Sequence, residues 1–335
     1  MTATLWLQYG RHRGDNAQLD ALGALVRERL AWKTVPLFSE TVPAPPWPDA
    51  IAGVGYRTVK TALEIKKAAA NRTRAIRLGR PRHAYRAFDL IVTTNQYGLP
   101  PAPHLLTLTV PLAQRVGTVR DPSLVAGLSS PYHLLIIGGP SKTVVYDRPV
   151  LDRLLAAAET HRKERGGSLL IVTSPRTPGS LSAALEQAGK DSRVWQWQPS
   201  GDNPYRDLLA LADDVLCNGD SASLMADVLR QGKPLYLQRP TNRRSAITSV
   251  DGLWDRARHR AKLGRMPDAL DEFIYFLGRE GVLTSRRRMD WLTDDLIDAG
   301  YAGELGKSSP SALPPFAEEE AMLLKRLAIL CPPTV

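Results

Sequence analysis

Three polar turns, each following a run of apolar residues, carry the residue types that hold phosphate. The most informative spans Asp214 to Leu237, DVLCNGDSASLMADVLRQGKPLYL. A short strand, Val215 to Cys217, enters the turn Asn218-Gly219-Asp220-Ser221. A helix is predicted from about Ser221 to Gln231, and a second strand covers Leu235 to Leu237. This is one strand–helix–strand unit of a parallel sheet. Its polar turn lies beyond the carboxyl end of a strand and at a helix N-terminus, where free N–H groups and the helix dipole favour anions. Asp220, Ser221 and Ser223 are its candidate ligand-binding residues.

The second turn follows Leu134-Leu-Ile-Ile and reads Gly138-Gly139-Pro140-Ser141-Lys142. Glycine lets backbone approach a ligand, and Ser141 and Lys142 are chemically suited to its phosphate. The third follows Leu169-Leu-Ile-Val and reads Thr173-Ser174-Pro175-Arg176-Thr177-Pro178. Here hydroxyls at Ser174 and Thr177 flank Arg176, whose fork matches a diphosphate. Each turn has a plain structural reading as a βα connection or a surface arginine. Their recurrence at three strand ends of one sheet is the more specific signal.

Other chemistries fit less well. Lys142-Thr143 lacks the G-x-x-x-x-G lead of a Walker A loop, and no G-x-G-x-x-G supports a dinucleotide. Gly219-Asp220-Ser221-Ala222-Ser223 mimics a hydrolase nucleophile elbow, with Asp251 and His259 following in order. Ser223 replaces the second glycine that the strained turn needs. The six histidines show no metal-ligand spacing, so no metal site is expected. Two cysteines, Cys217 and Cys331, make no disulfide framework.

The elements that must position these turns form two groups. Strands are expected at Thr4–Leu7, Thr34–Phe38, Arg74–Leu78, Asp89–Thr93 and His104–Leu108. A helix is expected from about Ala17 to Leu30, capped by Asp15 or Asn16, and helical patterns cover Tyr56 to Asn71. After a linker at Asp121 to Pro131, strands at 132–137, 169–173, 194–197, 215–217 and 235–237 alternate with helices. Such alternation implies parallel sheets covered by helices. The expected fold is α/β, with two Rossmann-like domains facing a cleft and a C-terminal helical segment. The domains are expected at 1–125 and 132–305. Residues 306–335 form a connector and an amphipathic helix that packs back on the first domain.

The 335 residues carry 43% hydrophobic and 23% charged side chains, ordinary for a soluble protein. No apolar run approaches the ~20 residues that span a bilayer. The N-terminus lacks a basic region before its first strand, so no secretory signal is expected, and the cytoplasm is the default compartment. The net charge of +10 calls for an anionic partner. It is concentrated between Arg57 and Arg86, where ten Lys and Arg residues face one acid, Glu64. A solvated helix face, an anionic membrane surface at the inner face of a membrane and nucleic acid are the three readings. Nucleic acid ranks last because no recognition-helix, zinc or aromatic-interleaved signature accompanies the charge.

Taken together, several segments resemble the elongated-mitochondria fission family and its bacterial relatives, proteins similar to GT-B glycosyltransferases. The carrying residues are Gly14 with Gln18, Gly79-Arg80-Pro81-Arg82, Phe88-Asp89-Leu90, Gly138 to Ser141 and Thr173 to Pro178. Gly201-Asp202-Asn203-Pro204-Tyr205 and Asp220-Ser221 through Gly232-Lys233-Pro234 complete the set. The resemblance implies a nucleotide-sugar donor bound by the second domain, with no tightly held cofactor. It places Asn203 and Tyr205 beside the base and Asp227 on the ribose, where relatives usually carry the longer Glu. The N-terminal loop departs from the family pattern; its titratable groups, Asp15 and His12, are the candidate general bases toward an acceptor that is lipid-linked in one version of this reading. A non-catalytic adaptor keeping the same shell is the alternative.

Overall fold

The structure is a computed structural model describing residues 2–332 apart from 12, 116, 118, 186–190, 202, 244–247, 263 and 284–285. The chain divides into two compact units, one of residues 1–114, 245–287 and 315–335, the other of residues 115–244 and 288–314.

In the first unit, β1 (Thr4–Gln8) leads to α1 (Arg13–Leu30), β2 (Lys33–Leu37) and β3 (Ala50–Val54). The chain continues through α2 (Thr58–Ala68), β4 (Arg74–Leu78), β5 (Leu90–Thr94) and β6 (Leu105–Leu108). All strands pair in parallel in the order β2-β1-β3-β4-β5-β6. Alternation along the strands sends side chains to two faces. Leu5, Leu7, Ala50, Ala52 and Val54 join Leu19, Leu22 and Val26 of α1 in one core. Ile51, Ala75 and Ile91 meet Ala62 and Ile65 of α2 in another.

The second unit begins with β7 (Tyr132–Ile137), the short β8 (Val144–Val145) and α3 (Arg148–Arg165). β9 (Ser168–Thr173), α4 (Gly179–Leu185), β10 (Ser192–Trp195) and α5 (Tyr205–Leu211) follow. β11 (Asp214–Asn218), α6 (Ala222–Arg230), β12 (Leu235–Gln238) and β13 (Thr241–Asn242) come next. The chain then returns to the first unit as α7 (Thr248–Lys262) and α8 (Ala269–Arg279), re-enters the second as α9 (Met289–Asp298) and β14 (Gly303–Glu304), and ends in the first as α10 (Phe316–Leu330). The main sheet of the second unit is parallel, in the order β10-β9-β7-β11-β12-β14. Each unit is therefore a Rossmann-like α/β layer with its central strands buried from both sides.

Three expectations need correction. The expected second domain, 132–305, is interrupted: 245–287 belongs with the first unit, where Gly278 lies against Pro100 and Trp254, and the Gly281 carbonyl meets His83 Nδ1. β3 was not foreseen, because AIAGV lacks the β-branched run that signals a strand. Asp15 and Asn16 do not cap α1, which already begins at Arg13. Asn16 instead holds Gly10, accepting from its N–H at 2.8 Å and donating to its carbonyl at 3.0 Å. At the other end of the chain, Leu323, Leu327 and Cys331 complete the α1 side of the first core.

Candidate functional site

Strand order reverses between β7 and β11, which are paired along Leu134↔Val215 and Ile136↔Cys217. The carboxyl ends of strands at such a switch point are where open α/β sheets bind ligands. Here the three polar turns meet. Thr177 Oγ1 lies 2.9 Å from the Ile137 carbonyl and 2.8 Å from that of Gly138, tying the turn after β9 to the end of β7. Arg176 donates from Nη1 to the Gly139 carbonyl at 3.0 Å and from Nη2 to Asp220 Oδ2 at 2.7 Å. Asp220 is 1% exposed. Burial pushes its carboxyl upward, and Arg176 with the Gly139 N–H pulls it back.

This geometry gives Gly138, Gly139 and Arg176 a structural role beside the ligand-binding one expected of them. A Cβ on Gly138 would lie 2.4 Å from the Asp220 carboxylate, and one on Gly139 would lie 2.0 Å from the Arg176 carbonyl. The glycines are required by the close approach of the chain's own turns. Two nitrogens of the Arg176 fork are already engaged, so it is a clamp between turns before it is a diphosphate donor.

The other residues surround this knot. Ser141 Oγ accepts from the N–H groups of Thr143 and Val144, closing its own turn, while Lys142 is exposed. Ser174 Oγ lies 3.2 Å from Thr177 Oγ1 and accepts from the Arg176 N–H at 3.3 Å. Ser221 occupies the N-cap position of α6 in extended conformation, with no side-chain cap. Its hydroxyl instead lies 3.3 Å from Ser223 Oγ. The first turn of α6 therefore presents amide N–H groups and two hydroxyls beside the Asp220–Arg176 pair.

Asn203 accepts from the Tyr205 N–H at 2.9 Å, which orders the start of α5. The Tyr205 hydroxyl donates to Asp227 Oδ2 at 3.3 Å. Burial raises Asp227 to about 6, against the pull of Tyr205 and Arg206. Burial, with the Asp227 charge next, also lifts Tyr205 well above its ordinary range. Two residues 22 apart in sequence thus form one polar pair, a link that spacing alone does not reveal.

In the first unit, Asp15 lies in the first turn of α1 and lines a cavity of about 200 Å³. His12, the other expected base, lies outside the described residues. Arg77, Arg80, Arg82 and Arg287 line the same cavity and were not identified from sequence as ligand-binding. The available signal was Arg77 inside the otherwise apolar β4 stretch Ala75-Ile-Arg-Leu78.

Much of the charge between Arg57 and Arg86 is engaged within the unit. Arg57 pairs with Glu40, Lys60 with Glu64, Lys66 and Arg74 with Asp89, and Arg86 with Glu280. Lys67, Arg72 and Arg82 are exposed. No helix among the described residues is long and apolar enough to cross a membrane.

Sequence spacing suggested no metal site, but the fold gathers His133, His161 and Asp214, with ligand-type atoms within 4.8 Å of one another. All their polar ring and carboxylate atoms have partners. Asp214 Oδ1 meets His133 Nδ1 and Oδ2 meets His161 Nε2, each at 2.8 Å. His133 Nε2 faces the Gly166 carbonyl and His161 Nδ1 faces Arg165. The cluster lies at the start of β7 and β11, the end of the sheet opposite the polar turns.

Among curated proteins, the mitochondrial fission protein ELM1 of Arabidopsis thaliana is 25% identical over 223 residues, covering 57% of this chain and 51% of that protein. An uncharacterised Rickettsia prowazekii protein is 28% identical over 112 residues, 32% of this chain and 31% of that one. The chain thus spans about half or less of the length of these relatives. Among solved structures, the Methanocaldococcus jannaschii UDP-GlcNAc 2-epimerase in complex with UDP-GlcNAc and UDP is 10% identical, with a TM-score of 0.45 over 98% of this chain and 100% of that chain. MurG of Acinetobacter baumannii is 12% identical, with a TM-score of 0.41 over 98% of this chain and 92% of that one. Likeness at that level carries no functional argument. The family model described as mitochondrial fission ELM1 matches residues 10–264, well over half of the sequence, and the chain belongs to that family.

Proposed function

We propose that the second unit binds a nucleotide-activated sugar and that the protein is a glycosyltransferase-like member of its family. The observation that carries this reading is the interlocked set of turns at the β7/β11 switch point, ending at a helix start with no side-chain cap. The diphosphate would lie against the first turn of α6, with Ser174, Ser221, Ser223 and Lys142 as donors. Arg176 would add charge while remaining tied to Asp220. Donors aimed at charge building on a leaving diphosphate lower the barrier to cleavage at the anomeric carbon. Asp227 would hold the ribose, with Asn203 and Tyr205 near the base. Asp15 is the proposed base on the acceptor hydroxyl. The reading needs no tightly bound cofactor or metal, and it allows a lipid-linked acceptor met at an anionic membrane surface, on the cytoplasmic side, through the exposed part of the Arg57–Arg86 region.

The second reading is an adaptor that keeps the shell without catalysis. It is favoured by the hydrogen bond between Tyr205 and Asp227 and by the Arabidopsis relative being a mitochondrial fission protein. Fold alone does not choose between them. A thermal-shift panel of nucleotides and nucleotide sugars tests the first. Ligand at 100 times its dissociation constant adds about 2.7 kcal/mol and raises Tm visibly. A stabilising nucleotide lost in Ser221→Ala/Ser223→Ala supports the site. No response to any member of the panel removes the nucleotide reading.

A further inference from the structure

The first unit has its own switch point, where β1 and β3 pair and strand order reverses. The cavity lined by Asp15 lies against this point. Its walls come from the start of α1 (Asp15, Gln18), the end of β3 (Val54, Gly55, Tyr56) and the end of β4 with its loop (Arg77 to Arg82). This is a second crevice at the carboxyl ends of parallel strands.

Its charge is lopsided. Four guanidiniums, Arg77, Arg80, Arg82 and Arg287, share the lining with one carboxylate, Asp15. Arg77 is 4% exposed and has no carboxylate partner among the described residues. Its bonds go to neutral oxygens: Nε to the Arg80 carbonyl at 3.1 Å, Nη1 to Thr58 Oγ1 at 3.0 Å and to the Gly53 carbonyl at 3.3 Å. Burial lowers Arg77 to about 10 against the pull of Tyr97 and Asp15, and Arg82 and Arg80 add to the fall. Buried charges are ordinarily paired. Here Arg77 bonds to neutral oxygens, and Asp15 is the one carboxylate that lines the cavity with it.

The neighbouring side chains hold the forks in place. Gln96 Oε1 accepts from Arg287 Nε at 2.7 Å, and the Arg82 guanidinium stacks over the Tyr56 ring at 4.3 Å. Tyr56 is 67% exposed, so this stack forms the mouth of the crevice. We propose that the cavity is a binding site for a phosphate or diphosphate group, whose charge complements buried Arg77 and the Arg80, Arg82 and Arg287 side chains that line the cavity with it. Phosphate is the favoured anion because several planar forks converging on a small volume match its multiple oxygens bidentately. The proposal does not depend on the nucleotide reading of the second unit.

The test is calorimetry of the full chain with inorganic pyrophosphate and with glycerol 3-phosphate, beside co-sedimentation with vesicles containing phosphatidic acid. Arg80→Gln/Arg82→Gln removes two forks from the exposed side of the crevice, and Arg77→Lys keeps a charge without the fork. Matching melting curves establish that these variants fold. Wild type should bind, and affinity should fall about tenfold or more in the variants for each fork lost, the free energy of a charge-assisted hydrogen bond. It should survive Ser221→Ala/Ser223→Ala in the other unit. A signal from the soluble compounds assigns a soluble phosphate ligand, and one from vesicles alone, lost in the folded variants, assigns a lipid headgroup. Absence of binding to all three probes, or equal binding by wild type and Arg80→Gln/Arg82→Gln, overturns the proposal.

Discussion

Arg176 Nη2 donates to Asp220 Oδ2 at 2.7 Å, joining the turn after β9 to the turn after β11. Asp220 is almost fully enclosed, whereas the Arg176 side chain keeps 37% of its surface in water. Loss of the arginine would leave a buried carboxylate with backbone contacts alone, the 3.4 Å one from the Gly139 N–H and that of its own amide. Arg176→Ala should therefore destabilise the protein by about 2–3 kcal/mol, below the 3–5 of a fully buried pair because the arginine is partly solvated. Arg176→Ala/Asp220→Ala should cost less than the sum of the single changes. Urea denaturation of the four proteins measures this, and additive effects would show that the two side chains do not depend on each other.

The same interlock predicts intolerance at Gly139. A methyl group there meets the backbone carbonyl of Arg176, which cannot swing aside as a flexible side chain can. Gly139→Ala should cost about 1–3 kcal/mol, the range of overpacked sites. A melting temperature equal to wild type would mean that the turns separate freely.

On the proposed ribose role, Asp227 sets stability against binding. Its carboxyl is raised to about 6 by burial, so the folded state holds a proton that the unfolded chain releases near pH 4. Protonated Asp227 is tolerated and ionised Asp227 is costly, so stability should decline as pH rises from about 4 to about 6. Asp227→Asn should flatten that decline and raise stability at neutral pH, at the expense of nucleotide binding. Asp227→Glu should preserve binding. Nucleotide affinity left intact in Asp227→Asn would remove the carboxylate from the ribose site.

The two parallel sheets were legible because their strands are short apolar runs ended by glycine, proline and small polar residues. Leu134 to Ile137, Leu169 to Val172 and Val215 to Cys217 all form strands as expected. The strand ends that gather Thr177, Arg176 and Asp220 were legible for the same reason. Their mutual bonding was not, since it depends on how closely the turns approach. β3 was missed because alanine and glycine pack a central strand tightly without signalling one. The arginine crevice was missed because its members come from β4, its loop and Arg287, residues that only the return of the chain to the first unit brings together.

The buried cluster at the opposite end of the second sheet makes a prediction about pH. Burial alone would lower His133, but the hydrogen bond and charge of Asp214, with the Gly166 carbonyl, raise it above its ordinary value against Arg165. Burial alone would raise Asp214, and the hydrogen bonds from His133 and His161 bring it below its ordinary value. A raised histidine stabilises fully below its unfolded value of about 6.5, and that contribution is lost as pH rises through the folded value. A depressed aspartate stabilises above its unfolded value of about 3.9 and loses that contribution as pH falls through the folded one. This pair should therefore support the fold best between those limits and weaken it toward alkaline pH. Asp214→Asn reverses the balance, because burial remains while the attracting charge is gone. His133 should then drop below its ordinary value, and stability should rise with pH as the unfolded histidine gives up its proton near 6.5. Urea midpoints between pH 5.5 and 8.5 distinguish the two slopes. A wild type and an Asp214→Asn variant with slopes of the same sign would show that Asp214 does not govern the charge on His133.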